Sequence, residues 1–190
     1  TGGLSTAAGL ETYTVIRADK EHPERSDTLG WTYHHHPDLA AWHGRLYVAG
    51  DSCERDEDVW PSRELYSWSE NGRDWSHPQE LFPQGMSTAC RMYFYRAATG
   101  RMLVIAGLRG GATKMPEANK GSLAVRELHA DHTLGPVYAL RVVGPDRPGQ
   151  PPAYTDSPDA GFVTSCRQLL ADHLYLNQRS EEHTSELQSH

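Results

Sequence analysis

"GRLYVAG", residues 44–50, returns 56 positions later as "GRMLVIAG", residues 100–107. Each copy is a glycine turn, an arginine and a short run of apolar and β-branched or aromatic residues closing on glycine, the grammar of a strand leaving a hairpin. The surroundings repeat as well. "PDLAAW" (37–42) turns at His43-Gly44 into the first copy; the polar loop "DSCERDEDVWPS" (51–62) leads to the alternating run "RELYSWS" (63–69), and "ENGRDW" (70–75) turns into "SHPQELF" (76–82). Around the second copy, "RMYFYRA" (91–97) turns at Thr99-Gly100, the Gly-rich loop 108–121 leads to "SLAVREL" (122–128), and "HADHTLG" (129–135) turns into "PVYALRVV" (136–143).

Four strand-like runs per unit, at a spacing near that of propeller blades, predict an all-β fold: part of a β-propeller, whose sheets need neighbours on both faces. The competing architecture is a meander sandwich. Strand order, loop lengths and turn positions recur together, which favours the propeller. The expected organisation is residues 1–36 as the end of a preceding blade and an approach loop, 37–83 as one blade, 84–144 as a second, and 145–178 as a Pro-rich linker with a truncated third, in which "FVTSCRQLL" (162–170) is its first strand. About two and a third blades are thus expected, from a propeller of six or seven. Residues 179–190, "RSEEHTSELQSH", continue neither the alternation nor the repeat. Their letters match the translation of a sequencing-library adapter, and they are expected to be an assembly artefact.

The chain has 190 residues and a net charge of -7, or -5 without that tail. With no basic stripe to neutralise phosphates, nucleic acid is not expected as a partner. Cys53, Cys90 and Cys166 have no C-x-x-C spacing, which removes zinc ribbons and dithiol redox motifs. No apolar run approaches the ~20 residues of a bilayer span. The opening "TGGLSTAAGL" lacks the charged and apolar regions of a signal peptide, so the natural start is expected to lie further upstream.

The turn "SENGRDW" (69–75) resembles the Asp-box of sialidase-like (BNR) propellers, S-x-D-G-x-x-W, with Asn71 in place of the aspartate; "HADHTLG" keeps an Asp and a Gly without the Trp. The wider similarity runs from Trp31 to about Val143. The resemblance implies a carbohydrate-active protein, either a glycoside hydrolase or a uronate-cleaving polysaccharide lyase, with an acidic oligo- or polysaccharide as partner and secretion or a periplasmic location. The alternative is a non-catalytic glycan-binding propeller.

On a propeller scaffold the loops joining second to third strands, and one blade to the next, emerge on one face. That face receives "YHHH" (33–36), 51–60, 84–90, 108–120 and 154–161, and with them most of the histidine and acidic charge. Arg91 and Arg167 share a small-small-Cys-Arg context, "STACRM" and "VTSCRQ", at the predicted start of successive first strands. Two guanidinium forks converging there suit a sugar carboxylate. Adjacent side chains of an extended segment point oppositely, so either His34 and His36 or His35 alone is expected to face the channel. Within the lyase implied by the resemblance, His35 or His36 is the base and Tyr93, or Tyr33, the acid, while His34 binds substrate. The acidic loop Glu54, Asp56, Glu57, Asp58 offers a carboxylate, Asp58 above all, for substrate binding or hydrolysis. The histidines lack a second ligand at suitable sequence spacing, so neither a metal nor a cofactor is expected.

Overall fold

The computed structural model describes residues 9, 11–25, 28, 30–56, 62–84, 93–108, 122–144 and 149–176. The first sheet takes the order β1 (Tyr33–Trp42), β2 (Arg45–Cys53), β3 (Arg63–Ser69), β4 (Gln79–Phe82); the second takes β5 (Tyr93–Arg96), β6 (Met102–Gly107), β7 (Leu123–Leu128), β8 (Tyr138–Arg141). Both are antiparallel meanders in chain order, as the repeat predicts. Trp42 pairs directly with Arg45 across His43 and Gly44, whose φ values of 49° and 73° make the two-residue turn with both centres left-handed that matches strand twist. The first strand begins at Tyr33 rather than at Pro37, so "YHHH" is its opening half and not an approach loop.

The two sheets share one apolar interior. Tyr47 and Ala49 of β2, Tyr66 of β3, and Leu81 and Phe82 of β4 meet Phe94 of β5, Met102, Val104 and Ala106 of β6, and Ala124 and Leu128 of β7. Polar ties cross the same seam: the Trp42 indole N–H donates to the Gly100 carbonyl at 2.9 Å, the Phe94 N–H to Asp38 at 2.8 Å, and the Arg126 guanidinium to the Leu81 carbonyl at 2.9 Å. Alternate residues of β6, Leu103 and Ile105, point the other way and are equally buried. A strand covered on both faces reads as a continuous apolar run, which is why "MLVIA" shows no alternation.

What covers that second face departs from expectation. Residues 162–170 do not open a third sheet; they lie in helix α1 (Ala160–Ala171). Asp159 caps it, accepting from the Gly161 and Phe162 N–H groups at 2.8 and 3.0 Å. Phe162, Cys166 and Leu169 fall at helical spacing and bury against Leu103, Ile105, Val125 and Leu140. Arg101 clamps the helix start, donating to Asp159 at 2.8 Å and to Glu127 at 2.6 Å. The Arg101 hydrogen bond, with those from the backbone, holds the Asp159 carboxyl below its ordinary pKa. Burial pushes the Cys166 thiol up to about 12, so it is an inert core group.

The two β3–β4-type turns are related. In residues 69–75 the Asn71 side-chain oxygen accepts from the Arg73 and Asp74 N–H groups at 2.8 and 2.9 Å, around Gly72 at φ 73°. In the second sheet the Asp131 carboxylate accepts from the Thr133 N–H at 3.0 Å, around His132 at φ 68°. His132 therefore stands where the first turn has glycine, in a conformation uncommon for other residues. Its ring stacks on Trp68 of the neighbouring sheet, centroids 3.8 Å apart and planes 6° from parallel. Burial, then the Arg45 charge, lowers the His132 pKa.

Truncating Leu169 to Ala removes a fully buried side chain from the α1 contact and should cost about 2–5 kcal/mol in urea unfolding. A His pKa depressed by folding means the unfolded chain takes up protons first as pH falls. Stability should therefore drop as pH falls below about 6.5, the unfolded value, towards the lower folded one. His132→Phe should flatten the part of the urea-midpoint profile between pH 7 and 5 that comes from this ring.

Candidate functional site

Along β2, Tyr47, Ala49 and Asp51 share the face turned to the second sheet, because alternate residues of a strand point one way. At Asp51 that face changes from apolar to charged. Asp51 lies opposite His35 on β1 and Glu64 on β3, and both carboxylate residues are only 1% exposed. A row of His35, Asp51 and Glu64 thus crosses three strands at one end of the inter-sheet interior. Two carboxylates side by side at such burial favour a positive group beside them.

His36 joins this row through a defect in the strand. The register of β1 against β2 shifts between His35 and Asp38, and His36 sits at φ 47°. This bulge overturns the expected alternation. His35 and His36, consecutive in sequence, present their rings together, centroids 3.5 Å apart, and His36 Nδ1 is 3.8 Å from the Asp51 carboxylate. Gly50 is what permits the chain to fold there: a Cβ on it would meet the His35 carbonyl oxygen at 3.1 Å and Pro37 Cα at 3.8 Å. Tyr33, two residues before His35, places its hydroxyl 3.1 Å from His35 Nδ1.

Beside the cluster lies a cleft of about 420 Å³ whose walls include His34, His35, Gly50, Asp51, Leu65 and Ile16. Its size is that of a small-molecule binding cleft. His34 pairs opposite Ser52 and belongs to this cleft.

The other expected residues are placed differently. Tyr93 pairs opposite Ile105, a residue of the β6 face that α1 covers. Arg167, expected at a strand start beside the channel, is on the exposed side of α1, because the capped, helically spaced segment winds it away from the apolar stripe. Arg91 and Asp58 lie outside the described residues, as do Glu57, Cys90 and the tail 179–190. Sequence reasoning missed Asp51, read only as the first residue of a polar loop, and Glu64. The available signal was a carboxylate at an inward position of each strand.

Comparison with known proteins agrees with this architecture. The family model described as BT_1020-like, N-terminal beta propeller, matches residues 1–90 and 85–189. Among solved structures, one titled "Sialidase" superposes with a TM-score of 0.75 at 28% identity, over 90% of this chain and 18% of its own. A xylan beta-1,4-xylosidase from Bacillus Halodurans C-125 matches with a TM-score of 0.43 at 19% identity, over 60% of this chain and 21% of its own. No curated protein sequence matches. The chain spans under a fifth of the length of that sialidase structure. Its two sheets are neighbouring blades of a β-propeller.

Gly50→Ala should force the bulge apart at the His35 carbonyl. The expected loss is about 1–3 kcal/mol in urea unfolding, with a histidine side-chain NMR shift at His35 and His36.

Proposed function

The chain belongs to the BT_1020-like, N-terminal beta propeller family, and on that premise we propose that it acts on an acidic glycan, cleaving it by β-elimination beside a uronate carboxylate. The observation that carries this reading is the Tyr33–His35 contact at 3.1 Å, set beside the cleft that His34 and His35 line. The likeness to a structure named as a sialidase supports a carbohydrate ligand. The turn at residues 69–75, with an Asx side chain holding two backbone N–H groups around a left-handed glycine, supports its assignment as a degenerate Asp-box.

The contact has a chemical direction. When His35 Nδ1–H donates to the Tyr33 oxygen, Nε2 keeps its lone pair and the phenol keeps a proton to give. His35 Nε2 then takes the proton beside the uronate carboxylate. The C–H electron pair becomes the new double bond as the glycosidic C–O bond breaks, and the phenol of Tyr33 protonates the departing oxygen. Tyr33 replaces Tyr93 as the acid in this scheme. His34 binds sugar in the cleft, His36 holds the ring of His35 against Asp51, and Arg91 and Asp58 are retained as substrate-binding candidates. Arg167 has no part in it.

The test is incubation of the intact protein with a uronate-containing polysaccharide and with a sialylated oligosaccharide. Elimination gives an unsaturated product that absorbs in the ultraviolet, and His35→Ala or Tyr33→Phe should lower its rate about 100-fold or more while circular dichroism stays native. Release of free sialic acid without that absorbance would replace elimination by hydrolysis. Binding to the polysaccharide with no turnover of either substrate would establish the glycan-binding alternative.

A further inference from the structure

We propose that His35, His36 and Asp51 form a binding site for one divalent transition-metal ion of the zinc class. The inference stands on the geometry of these three residues and does not rest on the elimination reading. One ligand atom from each, imidazole nitrogens and a carboxylate oxygen, lies within 4.8 Å of the others. A metal bonded to each at about 2.0–2.2 Å brings such atoms to roughly 3.0–3.5 Å of one another. His36 Nδ1 and the Asp51 oxygen are already 3.8 Å apart, so ring rotation and a small carboxylate shift close the set. Two imidazoles and one carboxylate are the donors that borderline ions such as Zn2+ and Fe2+ accept, with positions left open for water or substrate.

Three further observations point the same way. The set is built from one strand bulge and its partner strand, so its geometry is fixed by backbone pairing and not by a flexible loop. Tyr33 occupies the position of an outer partner: its hydroxyl at His35 Nδ1 directs Nε2 to a ligand, as a hydrogen-bonded second nitrogen does at metal-bound histidines. Asp51 and Glu64, both 1% exposed, are directly paired across β2 and β3, so a second carboxylate stands beside the ligand set. Sequence spacing hid the site because Asp51 is 15 residues from His36 and becomes its neighbour only through strand pairing.

A metal on His35 Nε2 uses the lone pair that elimination needs. Zinc loading therefore inhibits the metal-free reaction if that reaction proceeds through His35, and the two statements fail separately. The decisive experiment is calorimetric titration of chelator-treated protein with zinc chloride alone, followed by thermal unfolding with and without the ion. The expected result is one tight ion per chain and a raised Tm, with affinity at least about tenfold weaker in His36→Ala and in Asp51→Asn. Asp51→Asn nearly preserves shape; should it fail to fold, His36→Ala, at a half-buried position, serves alone. Cobalt(II) should give visible d–d absorption in the native protein and lose it in His35→Ala. Unchanged zinc affinity in the folded variants, which would place the ion on other histidines, overturns the proposal, as does the absence of stoichiometric binding. Zinc binding with no eliminase activity in any form overturns only the preceding reading.

Discussion

A strand such as "MLVIA" cannot keep either face in water, and the architecture follows from that constraint. Met102, Val104 and Ala106 need one apolar surface, Leu103 and Ile105 need another, and each fully buried Met, Val, Leu or Ile is worth about 1.5–3 kcal/mol relative to exposure. The first sheet supplies one surface through Tyr47, Tyr66 and Phe82; helix α1 supplies the other through Phe162, Cys166 and Leu169. An isolated four-stranded meander leaves too much apolar area in solvent, so blade-like sheets exist only in company. The polar ties between sheets, Trp42 to Gly100 and Arg126 to Leu81, act on groups the apolar contact has already brought together. They fix the register of one sheet on the next and are not the source of its stability.

Where that interior ends, chemistry begins. The inward positions of β2 run Tyr47, Ala49, Asp51, and those of β3 run Trp68, Tyr66, Glu64, so two strands pass from apolar to charged at the same level. Buried carboxylates there are costly unless hydrogen bonds or charge compensate them. The His36 bulge adds a second departure from ideal geometry: a non-glycine residue at positive φ before a proline. Strain of this kind persists when the surroundings over-determine it, and here Gly50 leaves space for the His35 carbonyl while β2 pairs on either side.

The repeat was legible because it rests on side-chain period and turn chemistry, both local. Strand order and the inter-strand turns follow from "GRLYVAG" and "GRMLVIAG" with their flanks. Residues 162–170 were misread because Phe, Val, Thr and a pair of leucines score as strand when composition is weighed before spacing. The Asp159 cap and the positions of Phe162, Cys166 and Leu169 were the helix signals in the same stretch. The site was half legible. "YHHH" was found as a concentration of chemistry, but the rule that neighbours in a strand diverge separated His35 from His36, and only a bulge, which three-dimensional pairing decides, brings them together.

Placing the chemistry on strands gives the site its precision and its limit. Tyr33, His35, His36, Asp51 and Glu64 all belong to paired backbone, so their mutual geometry is set by the same interactions that set the fold. Ligand size and charge are then left to the connecting loops. One scaffold with a fixed imidazole–carboxylate cluster is in this way compatible with different ligands as its loops change.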